Sequence, residues 1–112
     1  MAQISADRVE TLLNILYAIK AIDSEFPLQY AICLCEIARD EGCSLTDLSE
    51  RTGLALSTVS RIVGALSNYR QSGEPYQFIT LKMSEIERRK KHLFLTDDGR
   101  KALKSVVGKL KS

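Results

Sequence analysis

Alternation of apolar and polar residues, the mark of a strand with one buried face, appears in two neighbouring stretches of this sequence and governs how the rest can be read. Ile79, Leu81 and Met83 alternate with Thr80, Lys82 and Ser84, and Leu93 and Leu95 alternate with His92, Phe94 and Thr96. Between them, Glu85 to Lys91 holds four consecutive cations, Arg88, Arg89, Lys90 and Lys91. Two half-buried strands joined in this way form a β-hairpin with a cationic tip. Such a tip has a protective reading that needs no ligand, because Lys and Arg discourage edge-to-edge pairing. Its other reading is attraction to a polyanion.

Upstream and downstream, apolar residues recur at helical intervals. Ser5 is placed to cap a helix with Asp7 in its first turn, and Val9, Leu12, Leu13, Leu16 and Ile19 carry it to about Asp23. Thr11, Ile15, Ala18 and Ile22 form a second, partly apolar stripe on the same helix. A helix apolar on two sides must bury both, and in a small chain the extra side is expected to be a subunit interface. Leu12, Ile15, Leu16, Ile19 and Ile22 are therefore the candidate dimer contacts.

Pro27 suits the start of a second helix, expected to reach about Glu41, to close at Gly42 and to be the most buried of all. Ser44 and Leu45 are expected to be extended before Thr46 caps a third helix, which Thr52 and Gly53 end. Val59, Ile62, Val63 and Leu66 then give the i, i+3, i+4, i+7 spacing of a fourth helix from about Leu56 to Asn68. Tyr69 to Tyr76, containing Ser72, Gly73 and Pro75, is a loop. After the hairpin, Thr96 caps a last helix with Asp97 and Asp98 in its first turn and Leu103, Val106, Val107 and Leu110 as its buried stripe. The predicted class is mainly α with a small β element (α+β), in the order α-α-α-α-β-β-α.

With 112 residues the chain is expected to form one domain, burying roughly 65% of its unfolded surface without disulfides. Its parts are residues 1–24, an N-terminal helix; 27–96, a core with the hairpin; and 97–112, a C-terminal helix. No apolar stretch approaches the roughly 20 residues that span a bilayer, and the start of the chain lacks a signal-peptide pattern, so a cytoplasmic location is expected. Cys33, Cys35 and Cys43 are odd in number and lack the second Cys/His cluster that a zinc site needs. They read as small apolar core residues in a reducing compartment, and no metal or cofactor is expected.

The net charge is only +2, but residues 1–50 hold three basic and nine acidic side chains, whereas residues 51–112 hold thirteen basic and five acidic ones. The C-terminal half should face a polyanion and the N-terminal half should face away. On the fourth helix, Ser57, Thr58, Ser60, Arg61, Gly64 and Ser67 lie off the apolar stripe. Small hydroxyl residues and a cation near a helix N-terminus suit close approach to base edges in a major groove. With one His, no glycine-rich phosphate loop and no nucleophile-base spacing, the sequence does not read as an enzyme.

The segment from Leu45 to Leu66, followed by Glu87-Arg88-Arg89 and then Leu93-Phe94-Leu95-Thr96-Asp97-Asp98-Gly99, resembles the winged helix-turn-helix of multiple-antibiotic-resistance-type (MarR) regulators. That family shows an Asp-x-Arg element at its wing tip and Leu-Thr-x-x-Gly entering the next helix; Glu87 stands here for the Asp, and Arg89 is the wing arginine. The resemblance implies a homodimeric, sequence-specific regulator of transcription that binds double-stranded DNA at a pseudo-palindromic operator. In that reading Ser57, Thr58, Ser60 and Arg61 enter the major groove and Arg89 the minor groove. Glu87 orients Arg89, while Arg88, Lys90 and Lys91 contact phosphates. Ala55 departs from the family, which often has a capping Ser there, and the loop from Ser67 to Gln77 is longer than usual. A single helix after the wing makes this a compact, C-terminally shortened form, suited to regulation without a ligand; a small-molecule effector is possible but not indicated. The alternative is a winged-helix module that binds protein within a replication or transcription assembly, which an exposed Leu56 and Tyr69 would favour.

Overall fold

A computed structural model describes residues 3–68, 73–84, 86 and 90–110. Among them are α1 (Ala6–Ile22), α2 (Leu28–Arg39), α3 (Leu45–Thr52), α4 (Leu56–Leu66), β1 (Ile79–Met83), β2 (Lys91–Leu95) and α5 (Asp97–Val107). The order is the one that the sequence predicts.

Local chemistry sets most of the boundaries. Ser5 Oγ accepts from Arg8 N–H at 3.4 Å and Thr96 Oγ1 from Gly99 N–H at 3.0 Å, so both predicted caps are in place. The start of α3 differs from expectation, since Ser44 rather than Thr46 is the cap. Asp47, three residues on, decides this: its N–H donates to Ser44 Oγ at 3.1 Å and its Oδ2 accepts from Ser44 N–H at 3.0 Å, a reciprocal capping box. Helix α2 ends at Arg39 and not near Glu41, because Asp40 N–H turns back to Ile37 O at 3.1 Å. Helix α4 ends at Leu66 and not at Asn68, with Ser67 N–H shared between Val63 O at 2.9 Å and Gly64 O at 3.2 Å.

The core gathers Cys33, Leu34 and Ile37 of α2, Leu48 of α3, Val59, Ile62, Val63 and Leu66 of α4, and Ile79 and Leu93 from the strands. Helix α4, with Ala65 also buried, is more enclosed than α2, which the sequence ranks first. Helix α4 packs against both α2 and α3, and its last carbonyls receive the chain entering β1. Tyr76 N–H donates to Ala65 O at 3.0 Å and Phe78 N–H to Leu66 O at 2.8 Å. Tyr76 also packs edge-on against Phe26 with ring centres 5.0 Å apart, and its hydroxyl donates to Asp23 Oδ2 at 2.6 Å. These contacts tie the approach to β1 to the α1–α2 connection.

Strands β1 and β2 pair antiparallel, with Ile79 opposite Leu95 and Met83 opposite Lys91. The outer edge of β2 is closed by the segment after α2. Gly42 N–H donates to Leu93 O at 2.7 Å, Leu93 N–H to Cys43 O at 2.9 Å, and Ser44 bridges to His92. The predicted extended segment is thus displaced to residues 42–44. One position further along the same edge, Leu95 N–H finds Glu41 Oε1 at 2.9 Å, and both carboxylate oxygens of Glu41 also accept from Arg100 at 2.9 and 3.0 Å. A side chain thereby takes the place of the next strand residue and fastens α5 to the sheet.

Two apolar stripes sit differently from the sequence reading. On α1, Ala18 is buried and Thr11, Ile15, Ile19 and Ile22 are half-buried, whereas Val9, Leu12, Leu13, Leu16 and Tyr17 face solvent. Helix α5 packs along α1, and Ile15, Ile19 and Ile22 of the proposed dimer set are already half-buried within the chain. On α5, Val106 is buried and Leu103 half-buried, but Val107 is exposed, as is Leu110 just past the helix end. Cys35 is also exposed, about 200° around α2 from buried Cys33, and is no core residue.

Candidate nucleic-acid interface

The turn between α3 and α4 is held by side chains as well as backbone. Gly53 adopts a left-handed φ of 75°, Ser49 Oγ donates to Leu54 O at 2.6 Å, and Leu54 N–H donates to Thr52 Oγ1 at 3.2 Å. Arg51 reaches Asp40 Oδ2 at 2.7 Å, which fastens α3 to the end of α2 and commits this cation to the scaffold. These restraints fix the angle at which α4 leaves the turn.

Because Val59, Ile62, Val63 and Leu66 are drawn inward, Ser57, Ser60 and Arg61 are left on the outer face of α4, with Thr58 half-buried at its margin. Arg61 has no ion pair or hydrogen bond among the described residues, so its guanidinium is available to a ligand. No acidic residue lies in the first turn of α4, and Ala55 supplies no side-chain cap. The N–H groups there are left for another acceptor. Ser67 does not join this face: it is buried and its hydroxyl donates to Gly64 O at 3.1 Å. Leu56, at the entrance of α4, is 51% exposed.

The wing stands next to this helix. Lys90 and Lys91 share a cleft of about 530 Å³ with Ser44, Leu45, Thr46 and Asp47 at the start of α3 and with Leu56 of α4. The cationic end of the hairpin and the entrance of the hydroxyl-bearing helix, 34 residues apart in sequence between Leu56 and Lys90, therefore border one concavity. Glu87, Arg88 and Arg89, predicted to be the wing-tip residues, lie outside the described residues, as does Tyr69. Lys82 sits 5.0 Å from the centre of the Phe94 ring on the solvent face of the hairpin. His92 Nδ1 lies 2.7 Å from Gly42 O, a bond that fixes the base of the wing.

The carboxylate nearest the cleft is restrained. The backbone N–H of Ser44, then its hydroxyl, hold the Asp47 carboxyl below the usual carboxylate range, and Arg51 and Lys90 add to that. Asp47 is thus an ionised capping group, with its charge turned into the helix end. Burial raises all three thiols, Cys33 to about 11, which disfavours the reactive thiolate in each. Among the described residues no group of His, Cys, Asp and Glu is arranged to hold a metal, and no helix is long and apolar enough to cross a membrane. The pairing of Glu41 with Leu95 and Arg100 escapes sequence reading, since nothing local marks a carboxylate for a partner 54 residues away.

Residues 37–70 match the profile of the IclR helix-turn-helix domain, which covers the end of α2, α3, the turn and α4. No curated protein matches the sequence. Solved structures resemble it over nearly its whole length. RV1404 from Mycobacterium tuberculosis has a TM-score of 0.75 at 18% identity, covering 97% of this chain and 76% of its own. The S. aureus MepR–DNA complex has a TM-score of 0.74 at 15% identity, covering 92% of this chain and 77% of the other. The PcaV transcriptional regulator from Streptomyces coelicolor, solved with its natural ligand, has a TM-score of 0.66 at 18% identity over 97% of this chain and 77% of its own. The fold is a winged helix-turn-helix. In that fold α3 and α4 form the helix-turn-helix, and β1 and β2 form the wing.

Proposed function

We propose that the protein is a sequence-specific, double-stranded DNA-binding regulator of transcription of the MarR type, acting as a homodimer on a pseudo-palindromic operator. The observation that carries this reading is the cleft that Lys90 and Lys91 of the wing share with Leu56 at the entrance of α4, the helix whose outer face bears Ser57, Ser60 and Arg61. A duplex offers two things to such a surface, base edges in the major groove and phosphates along its rim. Ser57, Thr58, Ser60 and Arg61 take the major groove. Arg89, steadied by Glu87 through a charge-assisted hydrogen bond, takes the minor groove, and Arg88, Lys90 and Lys91 take phosphates. Neighbours solved as DNA complexes, MepR among them, support the assignment.

The dimer reading rests on the outer face of α1. Val9, Leu12, Leu13, Leu16 and Tyr17 are each 45–58% exposed, and Leu110, just past the end of α5, borders a shallow pocket with Leu12. Of the five contacts expected from sequence, Leu12 and Leu16 belong to this face outright. Two-fold pairing through it would set the two recognition helices about 34 Å apart, one helical turn of DNA.

Selection from a random duplex library tests the proposal. The protein should enrich an inverted repeat, and Arg61→Ala should cost about 1–3 kcal/mol and relax the preference at one position per half-site. Enrichment of no sequence would overturn it. Leu12→Glu with Leu16→Glu should convert a dimer to a monomer in sedimentation, and a wild-type monomer at micromolar concentration would overturn the dimer. The exposed Leu56 favours a second reading, a protein-binding winged helix. Under that reading Leu56→Ser would abolish the interaction while Arg61→Ala would leave it intact.

A further inference from the structure

Leu56 is at odds with its position. It opens the helix whose outer face carries Ser57, Ser60 and Arg61, yet it is 51% exposed, and an apolar side chain left in water there gives up burial without benefit to the fold. Half-buried Leu45, at the start of α3, lines the same cleft of about 530 Å³, so this concavity has apolar walls as well as cations. Its polar lining is uncommitted. Thr46 is exposed and its hydroxyl makes no hydrogen bond among the described residues, and Lys90 and Lys91 are exposed without an ion pair among them. Asp47 also borders the cleft, but its Oδ2 is engaged by Ser44 N–H at 3.0 Å and it forms no ion pair with Lys90.

We infer that this cleft seats one deoxynucleotide of the DNA backbone, its phosphate held by Thr46, Lys90 and Lys91 and its C2′ methylene set against Leu45 and Leu56, so that the protein distinguishes deoxyribose from ribose at that position. This rests on the DNA-binding reading above and deepens it. A sugar–phosphate unit has the two chemistries that the cleft has. Its phosphate is a negative charge that accepts hydrogen bonds, matched to two cations and a hydroxyl donor. Its deoxyribose presents C–H groups, which a leucine covers without leaving a polar group unpaired. A ribose presents a 2′-hydroxyl there, and shutting a hydroxyl away from water against leucine is unfavourable unless it finds a partner.

Place and scale agree with this occupant. In helix-turn-helix docking the second helix lies in the major groove and the first crosses the backbone. Leu56 begins the second helix here, and Leu45 and Thr46 begin the first, so the cleft lies where a backbone strand passes from one to the other. A stable protein contact buries about 800 Å² on each partner, whereas a cleft of about 530 Å³ falls within the roughly 300–1,000 Å³ of sites that hold small groups. Cations alone would bind any polyanion, RNA included. Leu56 supplies the discrimination that they lack.

The test uses a duplex selected by the wild-type protein and scanned along each half-site, once with single methylphosphonates and once with single ribonucleotides. Wild type should show a phosphate in each half-site whose neutralisation weakens binding and an adjoining sugar where a 2′-hydroxyl weakens it about 10-fold. Leu56→Ser should bind the all-deoxy duplex about 5- to 10-fold more weakly, the equivalent of covering the exposed half of a leucine, and should lose the penalty at that ribonucleotide, because serine can pair with the added hydroxyl. Reading the same ribonucleotide in both proteins cancels its effect on sugar pucker. Thr46→Val should reduce the methylphosphonate penalty at that phosphate alone and leave the salt slope unchanged, whereas Lys90→Ala with Lys91→Ala should lower the slope. Ribonucleotides tolerated by wild type at every position, or penalised equally in wild type and Leu56→Ser, would overturn the seat and leave the DNA reading standing. Unchanged affinity of Leu56→Ser for the duplex would also overturn it and return Leu56 to the protein-binding reading. Failure of wild type to bind any duplex would remove both.

Discussion

Gly99 sets two effects of opposite sign against each other. It is the third residue of α5, where alanine would ordinarily favour the helix by about 1 kcal/mol. Yet a Cβ at Gly99 would collide with the carbonyl oxygen of Phe78 and come within 2.9 Å of its carbonyl carbon and 3.1 Å of its Cα. All three are backbone atoms, and Phe78 cannot easily give way. Its N–H is bonded to Leu66 O at 2.8 Å and its carbonyl accepts from Thr96 N–H at 2.9 Å, while Gly99 N–H is bonded to Thr96 Oγ1 at 3.0 Å. Relieving the clash moves either Phe78 away from α4 or the first turn of α5 away from its cap. Overpacking costs about 1–3 kcal/mol and each strained or lost hydrogen bond about 0.5–1.5 kcal/mol. Against the gain in helix propensity, Gly99→Ala should destabilise the fold by about 2–3 kcal/mol. Urea denaturation at constant slope measures it. A comparison with Gly53→Ala isolates the clash, since Gly53 has nothing within 4 Å of its would-be Cβ and only its φ of 75° opposes alanine, at about 1–2 kcal/mol. A Gly99→Ala protein as stable as wild type, or more stable, would refute this reasoning.

Glu41 should be the main pH-sensitive tie between the wing and α5. The Leu95 N–H, ahead of the Arg100 guanidinium, holds its carboxyl below the ordinary range despite an opposing desolvation. A lowered folded-state pKa means that this stabilisation is complete above the unfolded value and is lost as pH falls through the folded one. Stability should therefore decline below about pH 4, and Glu41→Gln should flatten that decline. Because the Glu41 side chain is 27% exposed, Glu41→Ala should cost only about 1–2 kcal/mol, and Glu41→Gln less, since its amide oxygen still accepts from Leu95. Equal losses for the two, or an unaltered acid profile, would show that the carboxylate is a bystander. Among the thiols, Cys35 should be titrated by a disulfide reagent in the folded protein, slowly because its pKa is raised, while Cys33 and Cys43 react after urea is added. Three thiols reacting together without denaturant would contradict the burial of Cys33 and Cys43.

What could be read in advance was local. Ser5, Gly53 and Thr96 are a cap, a left-handed turn and a cap because each acts on residues within four positions. Even the misplaced start of α3 was readable: Ser44 has Asp47 three residues on, which closes a capping box, whereas Thr46 has Ser49. The alternation of Ile79 to Met83 with Leu93 to Leu95 located the wing, and the spacing of Val59 to Leu66 located the outer face of α4. Long-range choices were not readable. Periodicity shows two apolar stripes on α1, but which of them meets the chain depends on where α5 lands, and α5 is steered by Glu41 and Arg100 across 59 residues. The aromatic group around Tyr76 likewise joins residues that share no pattern in sequence.

Affinity for a selected duplex as a function of salt, for wild type and for a variant with Arg88, Arg89, Lys90 and Lys91 all changed to Ala, tests the central claim most directly. A dimer with about eight phosphate contacts should lose roughly four orders of magnitude in affinity between 50 and 200 mM salt, and the variant should show a slope lower by several units. Equal affinities with equal slopes for the two proteins would contradict the assignment of this wing to DNA.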